Sequence, residues 1–156
     1  MKQRILKIAL DAPIDTCFDY RWVGEADTPL PQAGQLAVVP FGRRENVGLI
    51  VAVGDHTDVG DGRLKDVSAI RTQLLPLGAS WIELCRFAAD YYQRPLGEVA
   101  LPGLPKNLRA ASSLALDKAL KKIAADAFVP DFACVGAPSL NPAQQAAADA
   151  IADARG

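Results

Sequence analysis

The chain has 156 residues, half of them hydrophobic and 22% charged, with a formal net charge of −1. That length suits one domain, or one domain with an appendage, and needs no disulfide or metal to complete its core. A protein that coats duplex DNA by neutralising many phosphates is expected to be basic, so any nucleic-acid contact here should be one local site.

The first seventy residues read as β-structure. "RILKIAL" is rich in strand formers and stops at the turn-like "DAPID". "CFDYRW" follows, with an aromatic at every second place. "QLAVVPF" and "NVGLIVAVG" are apolar runs joined by "GRRE", where Gly42 supplies the backbone freedom of a tight reversal. Pro40 is expected at a strand end or an open edge, because it has no N–H for a ladder. "LKDVSAIR" is a weaker strand signal. Short strands at this spacing predict a small antiparallel barrel or sandwich, so the fold class is α+β.

The period then becomes helical. In "SWIELCRFAADYYQR", Ile82, Cys85, Ala89 and Tyr92 recur at helix spacing, and Ser80 with Glu83 has the spacing of a capping box. Pro95 and Gly97 are expected to stop this helix. "LPGLPKN" (101–107) has the composition of a linker. "SLALDKALKKIAADA" predicts an amphipathic helix with Lys118, Lys121 and Lys122 on its wet side, followed by a β-like "FACV". The Ala-rich end predicts a helix capped by Asn141, with Pro142 in its first turn and Gln144 three residues after the cap.

Motifs for catalysis are mostly missing. The single histidine, His56, lies in the polar loop "GDHTDVGDG", whose plain reading is a solvated turn. The spacing of Asp55, Asp58 and Asp61 does not fit a calcium loop. No G-x-S-x-G elbow and no phosphate-binding G-x-x-x-x-G-K-[ST] loop occurs. Three scattered cysteines and one histidine do not compose a zinc site, and unpaired cysteines fit a reducing cytoplasm. No apolar run is long enough to span a membrane. A binding role is better supported. "PFGRRENVG" sets a Phe, a flexible Gly, Arg43 and Arg44 on one hairpin tip; its bland alternative is an ordinary solvated turn. The alternating Phe18 and Tyr20 have a bland reading too, as core aromatics with Asp19 turned to water.

"ALDAPIDTCFDYR", "GQLAVVPFGRRENVGLIVAVG", "LKDV" and "LCRFAADYYQRPLGEVALPGLP", in that order, resemble the amino-terminal domain of the primosomal protein N′ (PriA) family of replication-restart helicases. The resemblance covers about residues 4–105 and implies a domain that binds the 3′ end of a nascent leading strand at a stalled fork. It assigns Phe18, Asp19, Gly42 and Lys65 to the end-binding pocket. Phe18 would contact a base, Asp19 would accept from the terminal hydroxyl, and Lys65 would meet a phosphate. Successive residues of a regular strand face opposite sides, so a shared pocket for Phe18 and Asp19 requires the strand to begin or bulge there, or one of them to contribute through its backbone.

"LNPAQQAA" is similar to the adenine-sensing glutamine motif that opens the family's helicase core, with Gln144 in the glutamine's place; a plain capped helix is the alternative. The implied organisation is residues 1–105 for end binding, 106–138 for a linker or reduced winged-helix region, and 139–156 for the start of the core. The chain stops before the family's phosphate loop, so it reads as a fragment without ATPase activity. ATP, magnesium and zinc are expected only in the ATP-dependent 3′→5′ helicase of full length, and this chain needs no cofactor. The implied partners are forked or single-stranded DNA with a 3′-OH end, the rest of the same helicase, other primosome proteins and single-stranded DNA-binding protein. No membrane partner is expected, and the setting is cytoplasmic. The alternative is a protein-docking module of the primosome that does not bind DNA ends itself.

Overall fold

The structure is a computed structural model. It describes residues 1–60, 62–109, 113–125 and 139–154. The expected "FACV" strand, Cys134 and Asp61 lie outside the described residues. The chain divides into two units, Met1–Ile123 and Ala124–Gly156.

Four main strands build the first unit: β1 (Lys2–Leu10), β2 (Phe18–Gly24), β3 (Leu36–Phe41) and β4 (Arg44–Gly54). The weak "LKDVSAIR" signal resolves into two short strands, β5 (Lys65–Asp66) and β6 (Ala69–Ile70). The sheet order is β5-β2-β1-β4-β3-β6. Both edges therefore come from one six-residue stretch, which curls the sheet upon itself. Its middle ties the two ends together: the Val67 N–H donates to the Arg21 carbonyl at 2.9 Å, and the Ser68 N–H to the Val38 carbonyl at 2.9 Å. The sheet is antiparallel except for β5 against β2. An extra residue, Val51, bulges β4 between the partners of Lys7 and Ile8 and adds local twist.

Alternation along each strand sorts the residues into two clusters. Leu6, Ile8, Leu10, Tyr20, Trp22, Ala37, Val39 and Ile50 fill the barrel interior. Leu36, Val38, Val47 and Leu49 point the other way. They are covered by helix α1 (Ala79–Tyr92) through Cys85, by α2 (Leu96–Ala100) through Ala100, and by Leu101 and Leu104. At about 25 cal/mol per Å² of apolar surface, each fully buried Leu or Ile is worth roughly 1.5–3 kcal/mol. Pro40 sits beyond the two residues of β3, Ala37 and Val38, that pair with β6. Its missing N–H leaves no gap there.

Four local expectations need correction. The residue that caps α1 is Gly78, extended at φ −62° and ψ 148° and without a side-chain cap, so no Ser80–Glu83 capping box forms. The preceding Leu77 is tied by its N–H to the Gly34 carbonyl at 2.9 Å, which fixes where the extended chain ends and puts Ser80 inside the first turn. Ile82, Cys85 and Ala89 are buried as their spacing predicts, whereas Tyr92 is exposed at the helix end, against Tyr91. The helix stops at Gln93, left-handed at φ 51°, before Pro95 and Gly97 are reached. Gly97 instead lies inside α2 at its closest approach to β1, where a methyl group would stand 1.8 Å from the Leu10 carbonyl oxygen. Finally, the Pro- and Gly-rich 101–107 stretch is no free linker at its start, since Leu101 and Leu104 are buried.

Helix α3 (Ser113–Ala125) carries Lys118, Lys121 and Lys122 exposed, as its amphipathic pattern requires. The second unit contains α4 (Pro142–Asp153), capped by Asn141. The Gln144 N–H donates to Asn141 Oδ1 at 2.9 Å, and the Asn141 N–H to Gln144 Oε1 at 3.1 Å. Among the described residues, no helix is long and apolar enough to cross a membrane.

Candidate functional site

The apolar filling of the barrel ends at Phe18 and Phe41, both half-buried, with ring centroids 5.1 Å apart and planes at 66°. Beyond this edge-to-face pair lies a cavity of about 550 Å³. Phe18, Asp19, Gly42 and Lys65 all line it. The structure thus brings the four site residues expected from the sequence around one space.

The register explains how consecutive residues share it. β2 begins at Phe18, while β5 pairs only with Tyr20 and Arg21. The Phe18–Asp19 edge is therefore uncovered, and a cavity at that edge touches both faces of the strand. Phe18 keeps to the interior side, with the barrel cluster. Asp19 keeps to the other, directly opposite Lys7 of β1.

Asp19 is the best-held polar group of the site. Its side chain is 8% exposed. Lys7 Nζ donates to Oδ1 at 3.2 Å, and the Thr57 hydroxyl donates to Oδ2 at 2.5 Å. The Thr57 oxygen in turn accepts from the Val59 N–H at 3.0 Å. Lys7 itself is 55% exposed, so this ion pair adds at most about 1 kcal/mol to stability. The carboxylate remains a strong acceptor on the cavity wall.

The other walls follow from the turn geometry. Gly42 has φ +61° at the first of two turn residues between Phe41 and Arg44, which is the φ of a type II′ hairpin. A methyl group there would meet nothing within 4 Å, so the backbone forms an open rim. Tyr20 is core, as expected; its hydroxyl donates to the Pro40 carbonyl at 3.1 Å and closes the floor. Burial pushes that phenol above its ordinary pKa and keeps it a neutral donor. Lys65 is held on the rim by the pairing of β5 with Tyr20. Arg43 and Arg44 are exposed at the hairpin tip and are not among the lining residues.

Sequence reasoning missed the loop between β4 and β5. It read "GDHTDVGDG" as solvated, and His56 is indeed exposed, yet Asp58, Val59 and Arg63 line the cavity and Thr57 holds Asp19. The only sequence cue was Thr57 two residues before Val59, the spacing at which a hydroxyl accepts from a local N–H. Cys17 and Thr16 complete the wall. Burial pushes the Cys17 thiol above its ordinary pKa; the Arg86 and Lys7 cations pull it down, and Asp19 pushes it up further. Asp55 is turned away, paired with Arg4 at 2.8 Å.

Among the described residues there is no cluster of His, Cys, Asp and Glu that could hold a metal ion. The site offers an aromatic edge, one oriented carboxylate, an open backbone rim and three cations, Lys7, Arg63 and Lys65. That set can stack on a flat ring, accept from a hydroxyl and meet an anion.

Residues 7–105 match the family of the 3′DNA-binding domain (3′BD) of PriA. The chain is also 32% identical over 113 residues to the replication restart protein PriA of Haemophilus influenzae, a match that covers 70% of this chain and 15% of that relative. The chain thus spans about 15% of the length of the curated relative it matches. On both counts the chain belongs to the PriA 3′DNA-binding domain family.

Proposed function

We propose that the cavity at the open end of the barrel binds the 3′-terminal nucleotide of a DNA strand, and that the chain serves replication restart by holding such ends at forks. The observation that carries the reading is the Asp19 carboxylate, nearly covered yet facing the cavity. A terminal nucleotide has a free hydroxyl where an internal one carries phosphate. An ionised carboxylate accepts from the hydroxyl and repels a phosphate in the same place, so one residue gives both attraction and exclusion. Phe18 supplies an aromatic surface for the terminal base; such contact is worth about 1–3 kcal/mol and tolerates any sequence. Lys65 lies on the rim, where the next phosphate would pass, and the bare backbone at Gly42 leaves room for it. In a longer protein of this family, Gln144 would open the motor region and face adenine.

The test is a titration of the chain against a short labelled strand ending in 3′-OH or in 3′-phosphate. The hydroxyl end should bind more tightly, and Lys65→Ala should weaken both. Equal affinity for the two ends would overturn the reading. A second reading, docking of another protein, is favoured by the outer face of α1, where Leu84, Phe87 and Tyr91 are 62%, 67% and 70% exposed. A stable protein complex formed by a chain with no affinity for DNA ends would select it.

A further inference from the structure

We infer that Thr57 is a positioning residue for end selection: its hydroxyl, locked by the Val59 N–H, fixes the Asp19 carboxylate and so sets the preference for a free hydroxyl. This rests on the function proposed above and adds to it the group that orients the reader.

The chain of donors runs one way. The Val59 N–H occupies a lone pair of Thr57 Oγ1 at 3.0 Å. A hydroxyl has one proton, and this one points to Asp19 Oδ2 at 2.5 Å. Thr57 is β-branched, so its χ1 is stiff and the hydroxyl cannot swing far. Oδ2 is thereby committed to the protein. Oδ1 is held differently, by a 3.2 Å bond from an exposed lysine that solvent and ligand can compete for. The carboxylate thus has one fixed oxygen and one exchangeable oxygen. A fixed carboxylate plane discriminates better than a rotating one, because a turning carboxylate can present an oxygen to water whichever end arrives.

The same contact joins the loop to the pocket. Thr57 leads directly into Asp58 and Val59, and Arg63 follows; all three line the cavity. Holding Thr57 against β2 therefore places a second wall, not only a carboxylate. The loop was expected to be a solvated turn. It forms one wall of the site.

The test uses the whole chain and its Thr57→Val, Thr57→Ala, Thr57→Ser and Asp19→Ala variants, each titrated with strands ending in 3′-OH and 3′-phosphate and checked by circular dichroism. The quantity read is the ratio of the two affinities. Losing a bond to a charged group should cut that ratio about tenfold in Thr57→Val and Thr57→Ala, while Thr57→Ser keeps it within about twofold of the unchanged chain. A loss in Val and Ala restored by Ser is the signature of a hydroxyl donor, which loop packing alone would not produce. If Asp19→Ala abolishes selection while both Thr57→Val and Thr57→Ala keep it in full, this inference fails and the proposed function stands. Loss in Thr57→Ser as well would show that a hydroxyl at this position does not suffice and would also overturn it. An unchanged chain without preference removes the proposed function and this inference together.

Discussion

On its inner side the β3–β4 hairpin turns Ala37, Val39 and Ile50 into the barrel; on its outer side Leu36, Val38, Val47 and Leu49 meet α1, α2 and the turn after them. The outer cluster is covered by helices. The inner one runs out at Phe18 and Phe41, and the cavity begins where it stops. The difference teaches where a candidate site can form in so small a fold. Apolar packing that is covered on its outside holds the scaffold, and packing left open at one end supplies an apolar edge beside polar groups that a ligand can reach.

Two glycines sharpen that contrast most. At Gly97, on the covered side, any side chain runs into the Leu10 carbonyl, so Gly97→Val should destabilise the fold by about 3 kcal/mol or more, read as a fall in the urea midpoint. At Gly42, on the open side, a methyl group meets nothing, and only the positive φ resists it. Gly42→Ala should cost about 1–2 kcal/mol in the same experiment. A larger loss at Gly42 than at Gly97 would break the distinction between a packed face and an open rim.

Between them in size comes Asp19→Ala, which separates binding from stability. Binding to 3′-OH ends should weaken by about 1.5–3 kcal/mol, the value of a bond to a charged acceptor. Binding to 3′-phosphate ends should stay weak or improve, since a repelling charge has gone. The urea midpoint should move little, because the ion pair with exposed Lys7 is worth at most about 1 kcal/mol. Unfolding of the variant would instead make the carboxylate a structural group.

Much of this contrast was legible before the fold was known. β1 to β4 are visible because runs of strand-forming and apolar residues are bounded by turn residues, and α1 because Ile82, Cys85 and Ala89 keep one face. The pocket residues Phe18, Asp19, Gly42 and Lys65 came from family resemblance; spacing alone favoured a core and a turn. What stayed hidden depended on distant partners. Ser80 looked like a cap until the tether from Leu77 to Gly34 moved the helix start. Gly97 looked like a stop because composition cannot show that β1 passes 1.8 Å from its missing side chain. Leu101 and Leu104 were masked by the Pro and Gly around them, although their three-residue spacing suits one buried face. Thr57 reaches Asp19 across 38 positions of sequence, and no local pattern carries that.

The smallest expected effect concerns Cys17 on the cavity wall. Because burial holds its thiol above the ordinary pKa, alkylation should be slow at neutral pH and quicken as pH rises past the usual thiol range. Asp19→Ala removes a charge that pushes the thiol up, so it should speed the reaction modestly at fixed pH. A 3′-OH strand should protect Cys17, while Cys85, on the buried face of α1, should stay unreactive throughout. Mass-spectrometric mapping of the modified cysteine checks all three. Faster labelling of Cys85 than Cys17 would contradict the assignment of covered and open faces.

The most direct trial of the central claim is to add a short 3′-OH oligonucleotide to isotope-labelled chain and follow the backbone amide resonances. The account predicts perturbation around Cys17–Tyr20, Gly42 and Thr57–Lys65, with the outer face of α1 at Leu84, Phe87 and Tyr91 unmoved. Perturbation centred on that helix face, with the amides of Phe18, Asp19 and Gly42 unchanged, would contradict it.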